Sequence, residues 1–221
     1  PNDLKPVPAT NAAGNLVEIN KGVHIKAPAN RKISVYGING AFASVDTFVA
    51  ASSPSYSFLN GYTYPYEYYI FSAGTDAGTT DNPGFMVVAG KNNTEIIYVI
   101  PITYQTKDQY APRSIRGYPL PGNLQVVTPN IRGYYNYSIK LQERQTYYFL
   151  GAVNDLTGVS IKSSQPISVY SGHSCALVVT PTCDHIVEQV TPTATWGKLF
   201  FSPPIYGRAD GDLYRVIAMA S

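Results

Sequence analysis

Charge is scarce in this sequence. Charged side chains make up 14% of 221 residues, where an ordinary globular chain has roughly a quarter. Sixteen Lys and Arg against 14 Asp and Glu leave a formal charge of +2. That charge is too small and too scattered to hold a nucleic-acid backbone or an anionic membrane. There is no run of about 18 apolar residues, so no membrane-spanning helix is expected. No stretch of about twelve residues keeps an apolar stripe at helical spacing, and prolines break most longer windows. The sequence opens on Pro1 rather than a methionine and contains no charged-then-apolar stretch at its start. Its absence fits a cleaved precursor or a piece of a longer polypeptide. No Ser–His–Asp set, carboxylate pair or glycine-rich phosphate loop stands out, so the chain is expected to be no enzyme and to hold no cofactor or metal.

What the sequence does have is turns and β-formers. Apolar residues reach 44%, enough for a core, and there are 19 tyrosines, 18 glycines and 17 prolines. Short runs rich in β-branched and aromatic residues, most of them bounded by Gly, Pro, Asn or Ser, predict strands. They are HIKA, ISVYGI, TFVAA, EYYIFSA, FMVVAG, TEIIYVIP, TYYFLG, VSIKS, ISVYSG, ALVVT, HIVEQV, KLFFSPP and LYRVIAM. In YNYSIKL, Tyr135, Tyr137, Ile139 and Leu141 share one face and Asn136, Ser138 and Lys140 the other. That period of two marks a half-buried strand. Residues 1–15 and 105–130 read as loops, the second long enough to suggest function or local motion. The fold class is all-β.

The sequence also repeats itself. GVHIKAPANRKISVYG from Gly22 parallels GVSIKSSQPISVYSG from Gly158, with Ile33, Ser34, Val35 and Tyr36 opposite Ile167, Ser168, Val169 and Tyr170. Asp46 falls opposite Asp184 and Val49 opposite Val187. YEYYIFSA then lies where the second copy has GKLFFSPP, and FMVVAG where it has YRVIAM. Such spacing predicts tandem antiparallel β-sandwich-like units of about 130 residues. The expected division is an extended segment 1–15, a first unit 16–150 and an incomplete second unit 151–221. Unpaired sheet edges invite association. The second unit is therefore expected to borrow strands, either from the segment Leu16–Asn20 or from a neighbouring chain or the continuation of a parent polypeptide.

Cys175 and Cys183, with His173 and His185 beside them, admit three readings. Two Cys and two His suit tetrahedral zinc, but an i, i+2 pair on a strand is a narrow spacing for it. A Cys–His nucleophile needs a free thiolate and a third, orienting group. A Cys175–Cys183 disulfide closes a short loop, worth roughly 2.6 kcal/mol by chain entropy. The first copy has neither cysteine nor histidine in that loop, which favours a local staple. Asn92 and Asn136 head N-glycosylation triplets, the first at a turn and the second at the start of a strand. With the cysteines they point to the extracellular side. Tyr62, Tyr64, Tyr66 and Tyr68 share a parity in GYTYPYEYYIF and form a candidate protein- or sugar-binding surface. RADGDLY reads as a hairpin turn rather than a calcium loop. Trp196 reads as a core anchor whose N–H seeks a backbone carbonyl.

From Asp155 to Gly197 the sequence is similar to one family pattern: DLTGVSIKSSQPISVYSG, CALVVTPTCDHIVEQVTP, then WGKLFF, followed by DLYRVIA. It resembles the N-terminal domain of the IgG-Fc-binding protein family. The first half matches more loosely, at ISVYG and NNTEI. The resemblance implies a secreted, non-catalytic structural or binding module of a larger mucus, matrix or adhesive protein. Its implied partners are other extracellular proteins or glycans, with self-association through sheet edges. The alternative is a carbohydrate-binding module using exposed tyrosines. The resemblance carries over no binding residues.

Overall fold

A computed structural model describes residues 17–18, 22–41, 44–53, 63–73, 83–101, 125–130, 134–150, 155–177, 183–204, 207 and 212–219. Its strands are β1 Val17–Glu18, β2 Val35–Ala41, β3 Ser44–Ala50, β4 Tyr66–Tyr69, β5 Pro83–Ala89, β6 Thr94–Pro101 and β7 Gln125–Asn130, then β8 Tyr134–Leu141, β9 Thr146–Leu150, β10 Ser160–Ser163, β11 Ile167–Ala176 and β12 Asp184–Val190. Two five-stranded sheets run β1-β9-β5-β11-β12 and β4-β10-β6-β8-β7. Every pairing is antiparallel. Alternation decides which side faces in. Tyr66 and Tyr68, Ile96 and Tyr98, Ile139 and Leu141, and Ile161 line one inner face. Phe85 and Val87, Tyr147 and Phe149, and Ile167 and Val169 line the other.

Tyrosines do much of the filling. Phe85 stacks on Phe149 at 4.8 Å and meets Tyr98 edge-on at 5.6 Å. Buried tyrosines bring hydroxyls that need partners. Tyr98 and Tyr147 supply them to each other at 3.1 Å, across the gap between the sheets. The Tyr68 hydroxyl crosses in the same way and donates to the Ile167 carbonyl at 2.8 Å.

The expected boundary at 150 runs through both sheets. β10 inserts between β4 and β6, with Ile161 opposite both Tyr68 and Tyr98. β11 inserts between β5 and β12. Strands β4, β5, β6 and β8 to β12 therefore share one core, because those inserted strands hydrogen-bond on both edges. The segment expected to complete a second unit appears as β1, paired to β9 through Val17↔Tyr147 and Glu18↔Thr146 at the edge away from β12.

β2 and β3 form a separate hairpin, in register from Val35↔Ala50 to Ala41↔Ser44. It lies beside β12 and is linked to it by side chains. Asp46 accepts from the Val187 N–H at 2.6 Å. Gln189 accepts from the Ala51 N–H at 2.9 Å and donates to the Ala51 carbonyl at 3.2 Å. The Phe48 ring meets Tyr170 edge-on at 5.3 Å. Gly37 makes room for that ring, since a Cβ there would collide with it.

Other expectations require correction. HIKA, KLFFSPP and LYRVIAM are not strands: residues 24–27, 198–204 and 213–219 run as irregular chain. Their composition suits a strand, but none of the described strands pairs with them. Residues 125–130 belong to β7 instead of a loop, while 102–124 lie outside the described residues. ALVVT enters β11 only at Ala176, and 178–180 lie outside the described residues.

Candidate binding surface

Cys175 and Cys183 are joined in a disulfide with their Cα atoms 4.9 Å apart. The bond ties the end of β11 to the start of β12, where the ladder shifts register between His173 and Ala176. His173, buried, accepts the Cys175 N–H on Nδ1 at 3.0 Å. The imidazole thus satisfies a backbone donor that the bulge leaves out of the ladder. With both sulfurs bonded to each other, the cysteine–histidine group is a staple with an internal acceptor.

The tyrosine surface takes a different form from the expected one. Tyr66 and Tyr68 face the core, and Tyr68 is 1% exposed. Tyr64 is partly buried, and Tyr62 lies outside the described residues. The parity is real, but it selects the inside, because Ile161 and Ile70 share that face. Burial raises the phenols of Tyr66 and Tyr68. Burial, and then the neighbouring Glu95 carboxylate, raise that of Tyr64. On the opposite parity, Tyr69 tilts against Trp196 at 5.8 Å. The Trp196 N–H donates to the Thr191 carbonyl at 3.3 Å, so it anchors the sheet's outer side and not the main core.

Asn92 sits exposed in the turn between β5 and β6, its Oδ1 accepting from the Glu143 N–H at 3.0 Å. Thr94 of the same triplet is buried and donates to the Lys91 carbonyl at 2.7 Å. Asn136 lies within β8, opposite Val99 and Val127, with its side chain outside what is described. The turn expected at RADGDLY falls mostly on 208–211, outside the described residues, although Gly207 turns with φ +85°.

A cleft of about 360 Å³ opens between the hairpin, β11, β12 and the 213–215 segment, with Asp46, Ser171, Glu188 and Arg215 on its wall. Its polar groups are committed to the fold. Asp46 holds the N–H groups of Thr47 and Val187. Ser171 donates to the Phe71 carbonyl at 2.5 Å. Arg215 pairs with the Asp155 carboxylate and donates to Thr157 Oγ1 at 3.0 Å. Glu188 is held above the usual carboxylate range, chiefly by burial and further by the Asp46 charge, against a hydrogen bond from the Gln189 N–H. This seam was not singled out from the sequence; the equivalence of Asp46 and Asp184 was its only trace.

Exposed apolar side chains gather in two stretches of the chain. Val23, Ile25, Ile33, Tyr36, Ile38, Val45 and Val49 are exposed around the hairpin. Leu199, Phe200, Phe201, Leu213, Tyr214 and Val216 are exposed along the last described segment. Contiguous exposed apolar surface commonly marks a protein contact.

The family described as IgGFc binding protein matches residues 55–221. The IgGFc-binding protein of Homo sapiens is 44% identical over 64 residues, 29% of this chain and 1% of that relative. The chain thus corresponds to a very small part of the relative it matches. No solved structure matches it.

Proposed function

The chain belongs to the IgGFc binding protein family, and from that premise we propose that it is a non-catalytic binding module of a larger secreted protein, working through protein–protein contacts. The exposed apolar stretches carry this reading, above all Leu199, Phe200 and Phe201, which lie outside the core with no strand over them among the described residues. The disulfide supports an oxidising, extracellular setting. The cleft supports a non-catalytic role, since its carboxylates and serine already serve backbone groups. Sugar binding by Tyr66 and Tyr68 is withdrawn, because both rings are core.

The relative's name offers a first protein probe. The full chain, immobilised, is exposed to purified immunoglobulin Fc in a surface-plasmon experiment, with a glycan array in parallel. The expected result is reversible Fc binding that free sugars do not compete and that Phe200→Ser with Phe201→Ser abolishes. A glycan signal without a protein signal would overturn the proposal.

A further inference from the structure

The turn from β5 into β6 carries Asn92-Asn93-Thr94, and the fold holds it from two sides. From the β8–β9 turn, the Glu143 N–H donates to Asn92 Oδ1 at 3.0 Å, and Gln142 Oε1 accepts from the Asn93 N–H at 3.2 Å. From the β10–β11 turn, the Pro166 carbonyl accepts from the Gly90 N–H at 3.0 Å, and Ser164 Oγ accepts from the Glu95 N–H at 2.9 Å. Asn93 takes φ +55°, a conformation that asparagine adopts more readily than most residues. Thr94 is 0% exposed, and its hydroxyl closes the turn on the Lys91 carbonyl at 2.7 Å.

Turn chemistry accounts for Asn93 and Thr94, but for only half of Asn92. A backbone N–H donates to an oxygen, so the Glu143 bond fixes which branch of the Asn92 carboxamide faces the protein. Aspartate would supply that acceptor equally well. What aspartate lacks is the amide nitrogen, and no described residue accepts from Asn92 Nδ2. The residue is exposed. The fold thus uses the oxygen and leaves the nitrogen unengaged. It does so in a residue two places ahead of a threonine, which is the acceptor triplet for N-glycosylation.

We propose that Asn92 is N-glycosylated, and that the sugar is added before the turn forms. In the transfer, Nδ2 attacks the anomeric carbon of a lipid-linked oligosaccharyl diphosphate. The N–C bond forms as the C–O bond to the diphosphate breaks. Nδ2 gives up one proton to a base of the transferase, and the lipid diphosphate leaves. An enzyme that selects on the threonine has to reach its hydroxyl. In the folded chain that hydroxyl is bonded to Lys91 and the residue is buried, so the substrate is the unfolded chain. Folding then closes the turn around Oδ1 and Thr94 while the glycan stays outside. The sugar stands at the end of the sandwich where β11 begins. The staple lies at the far end of that strand, roughly 26 Å from Ile167 to Cys175 at 3.3 Å per residue. The inference rests on the secreted reading. Fc binding by chain made without its glycan tests that reading alone, so the two can fail separately.

The test expresses the full chain in human cells behind a signal sequence and maps its peptides, from medium and cells, after amidase removal of glycans in heavy-oxygen water. Residue 92 is expected to read as aspartate carrying the label. Thr94→Ser keeps the hydroxyl and should keep the glycan. Asn92→Asp keeps the acceptor for the Glu143 N–H, and with it the turn, and should be secreted without the glycan. In a second arm, chain from a non-glycosylating host meets the transferase and its lipid-linked donor, once folded and once reduced and unfolded. Only the unfolded chain is expected to take the sugar at Asn92. The inference is overturned by a bare Asn92 in the chain from human cells, or by equal modification of the folded and unfolded chain.

Discussion

Single residues set the inner chemistry of this sandwich, and tyrosine shows how. A phenylalanine in place of Tyr68 would fill nearly the same volume, so the difference between them isolates the hydroxyl. That hydroxyl donates to the Ile167 carbonyl from within the core. Tyr68→Phe is expected to cost about 0.5–1.5 kcal/mol, and Tyr68→Ala about 3–5 kcal/mol, through the cavity it leaves. Urea unfolding of the three proteins checks both values; equal losses would mean that the hydroxyl, and not the ring, carries the site. Glu188 gives a pH-dependent case. Its raised folded value means that the folded state holds the proton more tightly than the unfolded chain does. Its contribution is therefore full below the ordinary carboxylate range and is lost as pH rises through the raised value. Glu188→Gln should flatten that decline above the ordinary carboxylate range and melt higher than the unmodified chain at neutral pH. Calorimetry across that range would count against this account if the variant melted lower at neutral pH.

At the scale of elements, most strands were legible because alternation and β-branching are local. YNYSIKL became β8 with Ile139 and Leu141 inward and Lys140 outward. The misses have physical causes. β7 contains Pro129, which suggests a loop; it is accommodated at a sheet edge, where the ladder shifts between Val127 and Asn130. KLFFSPP and LYRVIAM have strand composition without a strand beside them, and pairing is not a local property. The tyrosine parity could be read from the sequence, but the side on which the second sheet lies could not. The staple belongs to this scale too. Cys175–Cys183 spans the register shift, while the ladder from Val169↔Val190 to His173↔Ile186 stands apart from it. Cys175→Ser with Cys183→Ser should cost roughly 2.6 kcal/mol by the loop-entropy estimate and leave the fold intact. A double variant with lost near-ultraviolet circular dichroism would show instead that the bond organises the β11–β12 turn.

For the whole molecule, the question is which parts fold as one. Every residue of the buried core cluster lies between Tyr66 and Val190. Among the described residues none comes from the β2–β3 hairpin, which meets β12 through Asp46, Gln189 and Phe48. The family match begins at residue 55, close to where the core begins. A protein of residues 55–221 should therefore fold cooperatively, with a melting temperature only a few degrees lower, about 2–4 °C for each kcal/mol of lost hairpin contact. Removing residues 1–54 also uncovers two edges at once. β9 loses β1, and β12 loses the hairpin that Asp46 and Gln189 hold against it. Open edges template pairing with other chains. The shortened protein should consequently associate nonspecifically at high concentration. Thermal melts and light scattering separate the two effects. A shortened chain that is unfolded at room temperature would place the hairpin inside the cooperative unit, and one that is folded but strictly monomeric would show that the bare β9 and β12 edges are already protected.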